Sequence, residues 1–174
     1  MDKTIGSAVC VESERLMLIP FTEQSLALFI EDLPAFEQRY GIRYRGEELD
    51  HLLLGFLKKL QKEISEDREN YLFFTEFLII LKENRCVIGS IDFKYVPVGG
   101  RNEVGYGMNP AYEGHGYMTE ALDAFLRLGS KLGIKTVLAD TRPDNIKSQN
   151  VLKRCGFSFL KQEENLWWEK VLDP

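Results

Sequence analysis

The sequence predicts a mixed α/β (α+β) fold, with a mostly antiparallel sheet of six to seven strands flanked by about four helices. Two observations lead to this prediction. Segments with apolar residues at three- and four-residue intervals, typical of helices, are interspersed with short segments rich in β-branched and aromatic residues, typical of strands. The 174 residues are 44% hydrophobic and show no repeat or linker, so residues 1–174 are expected to form a single domain with a substantial core.

The first third of the chain predicts one strand followed by helices. Residues 14–20 alternate loosely between apolar and polar side chains and end at a proline. Residues 22–31 follow as a short helix capped by Thr22, and residues 34–41 form another short segment. Apolar residues spaced by three and four positions predict a longer helix over residues 45–65.

The middle of the chain predicts three consecutive strands. Residues 73–82 and 86–96 are rich in β-branched and aromatic residues and are separated by a polar turn, as in a hairpin. A Gly-Gly turn then leads to a third strand at residues 103–108. Gly105 and Gly107 are unusual inside a strand, and they indicate either a bulge or the close approach of a ligand to the backbone.

The last third of the chain predicts helices alternating with strands. A single apolar stripe predicts a helix over residues 116–132, which Gly133 ends. A short strand at residues 136–141 and a helix at residues 145–155 follow, and a hairpin within residues 157–171 closes the chain. This order of elements is typical of a domain with a mixed sheet.

Charge and cysteine content narrow the class of protein. The formal net charge is -5, which argues against a nucleic-acid-binding protein and fits a cationic or amine-bearing partner. The three cysteines, Cys10, Cys86 and Cys155, show no metal-ligand spacing and indicate free thiols in a reducing compartment. No apolar run suggests a signal peptide or a membrane span. The expected protein is cytoplasmic, with no metal, membrane or nucleic-acid partner.

Two segments carry the chemical information. Residues 109–120 read as a turn followed by a helix start, where free N–H groups and the helix dipole favour an anion such as pyrophosphate. Gly114 and Gly116 let the backbone approach that anion, although a tight turn without a ligand explains the same spacing. In the second segment, residues 145–157, Ser148 shares a helical stripe with Leu152, so its hydroxyl points toward the core or a bound group.

Together these segments resemble the GNAT superfamily of N-acetyltransferases. Gly114-His115-Gly116 resembles the signature R/Q-x-x-G-x-G/A, and the stretch from Asn145 to Gly156-Phe157 resembles N-x-x-S/A-x-x-L-x-x-K-x-G-F. The amino-acid sequences of both segments are similar to those of the RimJ/RimL type, the branch that acetylates ribosomal proteins. The resemblance implies acetyl-CoA as cosubstrate and transfer of its acetyl group to a primary amine, by direct attack in a ternary complex.

The resemblance also assigns residues to the cofactor. The backbone around Met108 is expected to hold the acetyl and pantetheine end, and Asn145 to cap its helix and contact pantetheine. Lys153 is expected to reach the adenine-side phosphate together with Arg154, unless both are ordinary exposed cations of a helix. The residues expected to hold the pyrophosphate through their backbone N–H groups are Gly114, His115, Gly116, Tyr117, Met118 and Thr119.

Three positions depart from the family pattern. Ala111 stands where the signature has arginine or glutamine, and His115 replaces the commoner basic residue between the glycines. Leu152 occupies the position of the tyrosine that protonates the leaving thiolate in many members. Ser148 is therefore the predicted catalytic substitute, hydrogen-bonding the thiol sulfur directly or through water.

Glu103 is the predicted general base because it begins the strand that the family places beside the cofactor. The alternative is an ordinary strand glutamate paired with Arg101 or a lysine. The acceptor site is expected beside the helices of residues 22–65, with Tyr40, Arg43 and Tyr44 as lining residues. The acceptor itself is left open among a protein N-terminus, a lysine and a small amine. A CoA-binding sensor without turnover remains the alternative function, and the protein is expected to be a monomer or homodimer.

Overall fold

The computed structural model describes residues 9–46 and 48–173. Within them it confirms the predicted mixed sheet, with nine strands and five α-helices. The strands are β1 Val11–Glu12, β2 Leu16–Pro20, β3 Arg43–Tyr44, β4 Phe77–Leu81, β5 Cys86–Phe93, β6 Arg101–Met108, β7 Thr136–Thr141, β8 Ser158–Gln162 and β9 Leu166–Val171. The helices are α1 Glu23–Glu31, α2 Leu33–Tyr40, α3 His51–Glu66, α4 Tyr117–Lys131 and α5 Ile146–Arg154. The strand count exceeds the predicted six to seven because β1 and β3 are two-residue strands.

The sheet has the order β1-β2-β4-β5-β6-β7-β9-β8, with β3 pairing beside the start of β5. Two pairs, β3 with β5 and β6 with β7, are parallel, and the other pairs are antiparallel. The β6–β7 pairing extends only from Arg101 to Glu103, whereas β7 pairs with β9 from Thr136 to Thr141. Beyond Glu103 the two strands therefore separate and leave a gap in the middle of the sheet.

Two apolar clusters cover opposite faces of the sheet. One packs α4 and α5 against the sheet through residues such as Phe125 and Leu152. The other packs α1, α2 and α3 against it through residues such as Phe29, Phe36 and Leu60. Because residues alternate between faces along a strand, β2, β4 and β5 contribute to both clusters. No helix in the described part of the chain is long and apolar enough to cross a membrane.

The long helix begins later than the sequence suggested. Residues 45–65 were expected to be helical, but α3 starts at His51, because Asp50 caps it by accepting hydrogen bonds from the N–H groups of Leu52 and Leu53. Arg45 is bonded to the sheet instead. The N–H of Arg45 donates to the carbonyl of Val87, which extends the β3 pairing by one bond.

The bulge considered for β6 is absent, since its pairing with β5 runs without a break from Val104 to Met108. The irregularity lies one strand away, between β4 and β5 at Ile79 and Ile80. A glycine is required nearby at Gly89, where an added Cβ would overlap the carbonyl oxygen of Gly107. Gly89 therefore reflects close packing of backbone, whereas an added Cβ at Gly105 would meet the side chain of Lys94.

Candidate active site

A cleft of about 750 Å³ lies where β6 and β7 separate. Its walls are the end of β6, the turn that leads into α4, and the first two turns and the end of α5. Most of the residues predicted to bind the cofactor line it: Met108, Gly114, Gly116, Tyr117, Met118, Thr119, Asn145 and Ser148. The separation of the strands thus brings together two sequence segments that lie about thirty residues apart in the chain.

The backbone of β6 presents amide groups to this cleft. The N–H of Asn109 donates to Ile88 on the β5 side, and the carbonyl of Glu103 accepts from Lys94 on the same side. In an antiparallel pair, residues that exchange hydrogen bonds alternate with residues that do not. The N–H groups of Tyr106 and Met108 therefore point away from β5, toward the gap left by β7.

The turn before α4 has the conformation of an anion-binding site. Gly114 and Gly116 have φ angles of 80° and 78°, a left-handed conformation that glycine adopts without strain. The N-cap Gly116 supplies no side-chain hydrogen bond, so the helix start depends on other groups to satisfy its N–H donors. The hydroxyl oxygen of Thr119, in the first turn, is buried and has no hydrogen-bond partner among the described residues. A phosphate oxygen fits both requirements.

The same helix start is anchored by Glu120 to the segment between β1 and β2. Its carboxylate accepts hydrogen bonds of 2.7 Å from Ser13 Oγ, Arg15 N and Arg15 Nε. Burial raises the pKa of Glu120, but these hydrogen bonds outweigh it, and the resulting pKa is below its usual value. The contact fixes the direction of α4 and therefore the position of the turn before it.

His115 does not line the cleft, although it was predicted to bind the cofactor. Its Nδ1 lies 2.8 Å from the carbonyl oxygen of Glu113, and its ring stacks on Tyr117 with centroids 5.5 Å apart. The guanidinium of Arg15 lies 4.6 Å from the Tyr117 ring centre and also donates to the carbonyl of His115. The side chain of His115 thus stabilises the conformation of the turn, whereas its backbone N–H still belongs to the turn that is predicted to bind the pyrophosphate.

On α5, Asn145 and Ser148 are positioned by one another and by Tyr106. Asn145 caps the helix by accepting a hydrogen bond from the N–H of Ser148 at 3.1 Å. The hydroxyl oxygens of Ser148 and Tyr106 are 2.8 Å apart. Burial raises the pKa of Tyr106 to about 12, although the hydrogen bond with Ser148 opposes the shift. The sequence analysis did not identify Tyr106 as a site residue. Its position between Gly105 and Gly107, on the strand predicted to lie beside the cofactor, could have indicated it.

The two cations at the end of α5 have different positions. The Nζ of Lys153, predicted to reach a phosphate, lies 5.6 Å from the ring centre of Trp168, and Lys153 is not among the residues that line the cleft. Arg154, one position later, does line it. Successive helical residues point about 100° apart, so only one of the two faces the cleft.

Glu103 lies on β6 but outside the cleft lining. Burial raises its pKa, the negative charges of Asp140 and Asp92 raise it further, and Lys94 opposes them. Arg101, a partner considered for it, pairs instead with Glu169 at 3.6 Å. Glu103 is four residues, or roughly 13 Å, from Gly107 along the strand, which is too far for direct contact with a group bound at the end of β6.

A second, smaller cavity of about 50 Å³ lies on the α1–α3 side of the sheet. It shares Gly107 with the cleft. Of the three residues predicted to border the acceptor, Tyr44 lines this cavity, Tyr40 is buried against Phe36 at 4.9 Å, and Arg43 is exposed on β3. The described residues contain no group of three or more His, Cys, Asp or Glu side chains placed to hold a metal ion.

Comparison with known proteins identifies relatives of this chain. The acetyltransferase (GNAT) domain profile matches residues 15–158. The uncharacterized N-acetyltransferase YnaD of Bacillus subtilis (strain 168) is 35% identical over 103 residues, which are 55% of this chain and 60% of YnaD. The ribosomal-protein-serine acetyltransferase of Escherichia coli (strain K12) is 31% identical over 98 residues, which are 53% of this chain and 54% of that protein. The matched region thus spans little more than half the length of these relatives.

The fold is also found in solved structures. Mycobacterium smegmatis RimJ in complex with CoA-disulfide superposes with a TM-score of 0.65 at 16% sequence identity. The superposition covers 90% of this chain and 81% of RimJ. At this level of identity the likeness is one of fold.

Proposed function

The chain belongs to the GNAT family of acetyltransferases, and we propose that it transfers the acetyl group of acetyl-CoA to a primary amine. The observation that carries the proposal is the cleft between β6 and β7. It combines inward-facing amides of Tyr106 and Met108 with a glycine turn and the buried hydroxyl of Thr119, which no described residue hydrogen-bonds. One end of the cleft suits a carbonyl oxygen and the other suits a pyrophosphate, the two polar groups that a CoA thioester presents.

The residues present fit acetyl-CoA as a cosubstrate. The N–H groups of residues 114–119 would hold the pyrophosphate, with Thr119 adding a hydroxyl donor. Pantetheine would run beside β6 and Asn145. The N–H of Met108 would donate to the thioester oxygen, where negative charge develops during attack, so that this donor stabilises the transition state more than the ground state.

Ser148 and Glu103 are proposed to handle the leaving sulfur and the proton. As the amine nitrogen bonds to the acetyl carbon, the carbon–sulfur bond breaks and the thiolate needs a hydrogen bond. Tyr106 can donate its proton to Ser148 Oγ, which leaves the serine proton free to point to the sulfur. Glu103 is proposed as the base that receives the ammonium proton; its raised pKa supports this role. Its separation from Gly107 means that the proton would travel through water.

The acceptor is proposed to be one of three primary amines: a lysine side chain, a small amine, or a protein α-amino group. The last is included because one relative is named for the acetylation of a ribosomal protein. The same relative favours a cytoplasmic location, and one domain over residues 1–174, as a monomer or homodimer, is the simplest arrangement.

The proposal is tested by calorimetric binding of acetyl-CoA to the purified protein, followed by CoA release with a panel of amines. Binding with amine-dependent release is expected. Binding without release from any amine would favour a CoA sensor, and absence of binding would overturn the proposal, since Ala111 and His115 would then have removed the phosphate site.

A further inference from the structure

The small cavity has the position that a second substrate requires. It is lined by Gly107, which also lines the cleft. The side chains of Tyr106 and Met108 pack against the α4 cluster, so position 107 faces the opposite side of the sheet. Gly107 has no side chain to separate the two cavities. A group in the small cavity is therefore next to the backbone whose amides face the cleft.

Three aromatic side chains, Phe21, Phe29 and Tyr44, line part of the cavity. The rings of Phe21 and Phe29 lie 5.0 Å apart, and the ring of Tyr44 packs edge-on against Phe29 at 5.1 Å. Phe21 and Phe29 are almost fully buried. Asn109 fixes the backbone that follows Tyr44 by donating to the carbonyl of Arg45 at 2.8 Å. Aromatic faces held in this way attract a cation and exclude water.

Glu76 is the one charged residue among the described residues that line the cavity. It precedes β4 and lies two residues from Leu78, which packs in the α1–α3 cluster, so both are on the same face. Its backbone is fixed by a hydrogen bond of 2.9 Å from the N–H of Phe21. A carboxylate and aromatic rings that line the same cavity form a combination that can bind an ammonium group through charge-assisted hydrogen bonds and cation–π contact.

From these contacts we infer that the cavity is the acceptor pocket and that Glu76 binds the acceptor's ammonium group. The inference rests on the acetyltransferase activity proposed above and adds a substrate class to it. The cavity of about 50 Å³ has room for roughly three to five non-hydrogen atoms, on the basis of the volume that one water requires. It accordingly takes a primary amine on a slim, unbranched apolar stem and rejects an amine on a branched carbon. Glu76 binds and orients the acceptor, while removal of its proton is the proposed task of Glu103.

Steady-state kinetics with n-butylamine and its branched isomer sec-butylamine test this inference. Glu76→Gln is expected to raise the KM for n-butylamine by about 10- to 100-fold, the effect of losing a hydrogen bond between charged groups, with the KM for acetyl-CoA within about twofold of wild type. Glu76→Asp should recover part of the loss. Glu31→Gln, an exposed carboxylate at the end of α1, is the matched control and should change neither KM.

The wild-type kcat/KM should favour n-butylamine over sec-butylamine by about tenfold or more, as expected for a misfit of one methyl group. An unchanged amine KM in Glu76→Gln, or equal use of the two isomers, would overturn the inference while leaving the acetyltransferase activity intact.

A binding measurement separates this inference from the proposed function. Titration of the protein with n-butylammonium chloride, without acetyl-CoA, should shift the amide resonances of Ser90 and Gly107, and Glu76→Gln should abolish the shift. If no amine is acetylated, the proposed function is wrong, yet this titration still decides whether the pocket binds an ammonium. If the amide resonances of Ser90 and Gly107 do not shift in the wild-type protein, the inference that the pocket binds an ammonium group is refuted.

Discussion

Replacing Tyr106 by Phe removes one hydroxyl and keeps the buried ring. That hydroxyl lies 2.8 Å from Ser148 Oγ and 3.3 Å from the Ser148 carbonyl oxygen. Losing it should lower the free energy of unfolding by about 0.5–1.5 kcal/mol, the net value of one hydrogen bond. For a chain of this length, that corresponds to a fall in melting temperature of roughly 2–5 °C. The stability effect is therefore too small to mask an effect on catalysis.

The catalytic effect of Tyr106→Phe follows from the orientation of the Ser148 hydroxyl. Without Tyr106 the serine proton is no longer directed, and a loss of about 1.4 kcal/mol of transition-state stabilisation corresponds to a tenfold fall in kcat. The KM for acetyl-CoA should change little, because Tyr106 N–H and the glycine turn remain. CoA release, followed with a thiol reagent at saturating amine and acetyl-CoA, measures kcat directly.

Ser148→Ala and the double variant complete the test. If Tyr106 acts only through Ser148, the double variant should be no slower than Ser148→Ala alone, because residues that act as a unit are not additive. The reasoning is refuted if Tyr106→Phe retains full kcat. It is equally refuted if the two single effects multiply in the double variant, since Tyr106 would then act independently.

Three further predictions concern charge and backbone. Glu103→Gln should remove the acidic limb of the pH–rate profile, and an unchanged profile would exclude Glu103 as the base. Because the raised pKa of Glu103 in the folded protein means that its ionised form is destabilised, the variant should also unfold with a higher free energy than wild type at pH 7. Gly116→Ala should lower the free energy of unfolding in urea by about 1–2 kcal/mol, since φ is 78° and backbone strain alone opposes the new Cβ. It should also weaken acetyl-CoA binding, and a wild-type affinity measured by calorimetry would contradict that prediction. Glu120→Gln should be less stable than wild type at neutral pH. The difference should disappear as the pH falls below 4.5 and then below the lowered pKa that Glu120 has in the folded protein. A difference in stability that persists at pH 2 would show that the charge of Glu120 is not its source.

Much of the fold and most of the residues that line the cleft were accessible from the sequence because their causes are local. The apolar stripe of α4 and the cap at Asn145 depend on residues within one or two turns. The positive φ angles of Gly114 and Gly116 follow from the lack of a Cβ. Such features appear wherever the segment folds, and the predicted pyrophosphate turn accordingly lies at the start of α4.

The predictions that differ from the structure depend on contacts between segments that are distant in the sequence. The start of α3 moved from residue 45 to His51 because the sheet edge competes for Arg45. Whether Lys153 or Arg154 faces the cleft depends on the packing of α5 against Trp168. Glu103 was assigned to the strand correctly, but its separation from the end of β6 depends on where that strand leaves β7.

The sequence by itself determined the order of elements, the glycine turn before α4 and the family, since each depends on neighbouring residues or on a contiguous motif. Only the tertiary structure decided that β6 and β7 separate after Glu103, that Tyr106 contacts Ser148 across 42 positions, and that Glu76 lines a cavity with Gly107. These features depend on which strands become neighbours and how far each pairing extends. That choice is made by the burial of the two cores as a whole, because no single segment carries enough apolar surface to fix it alone.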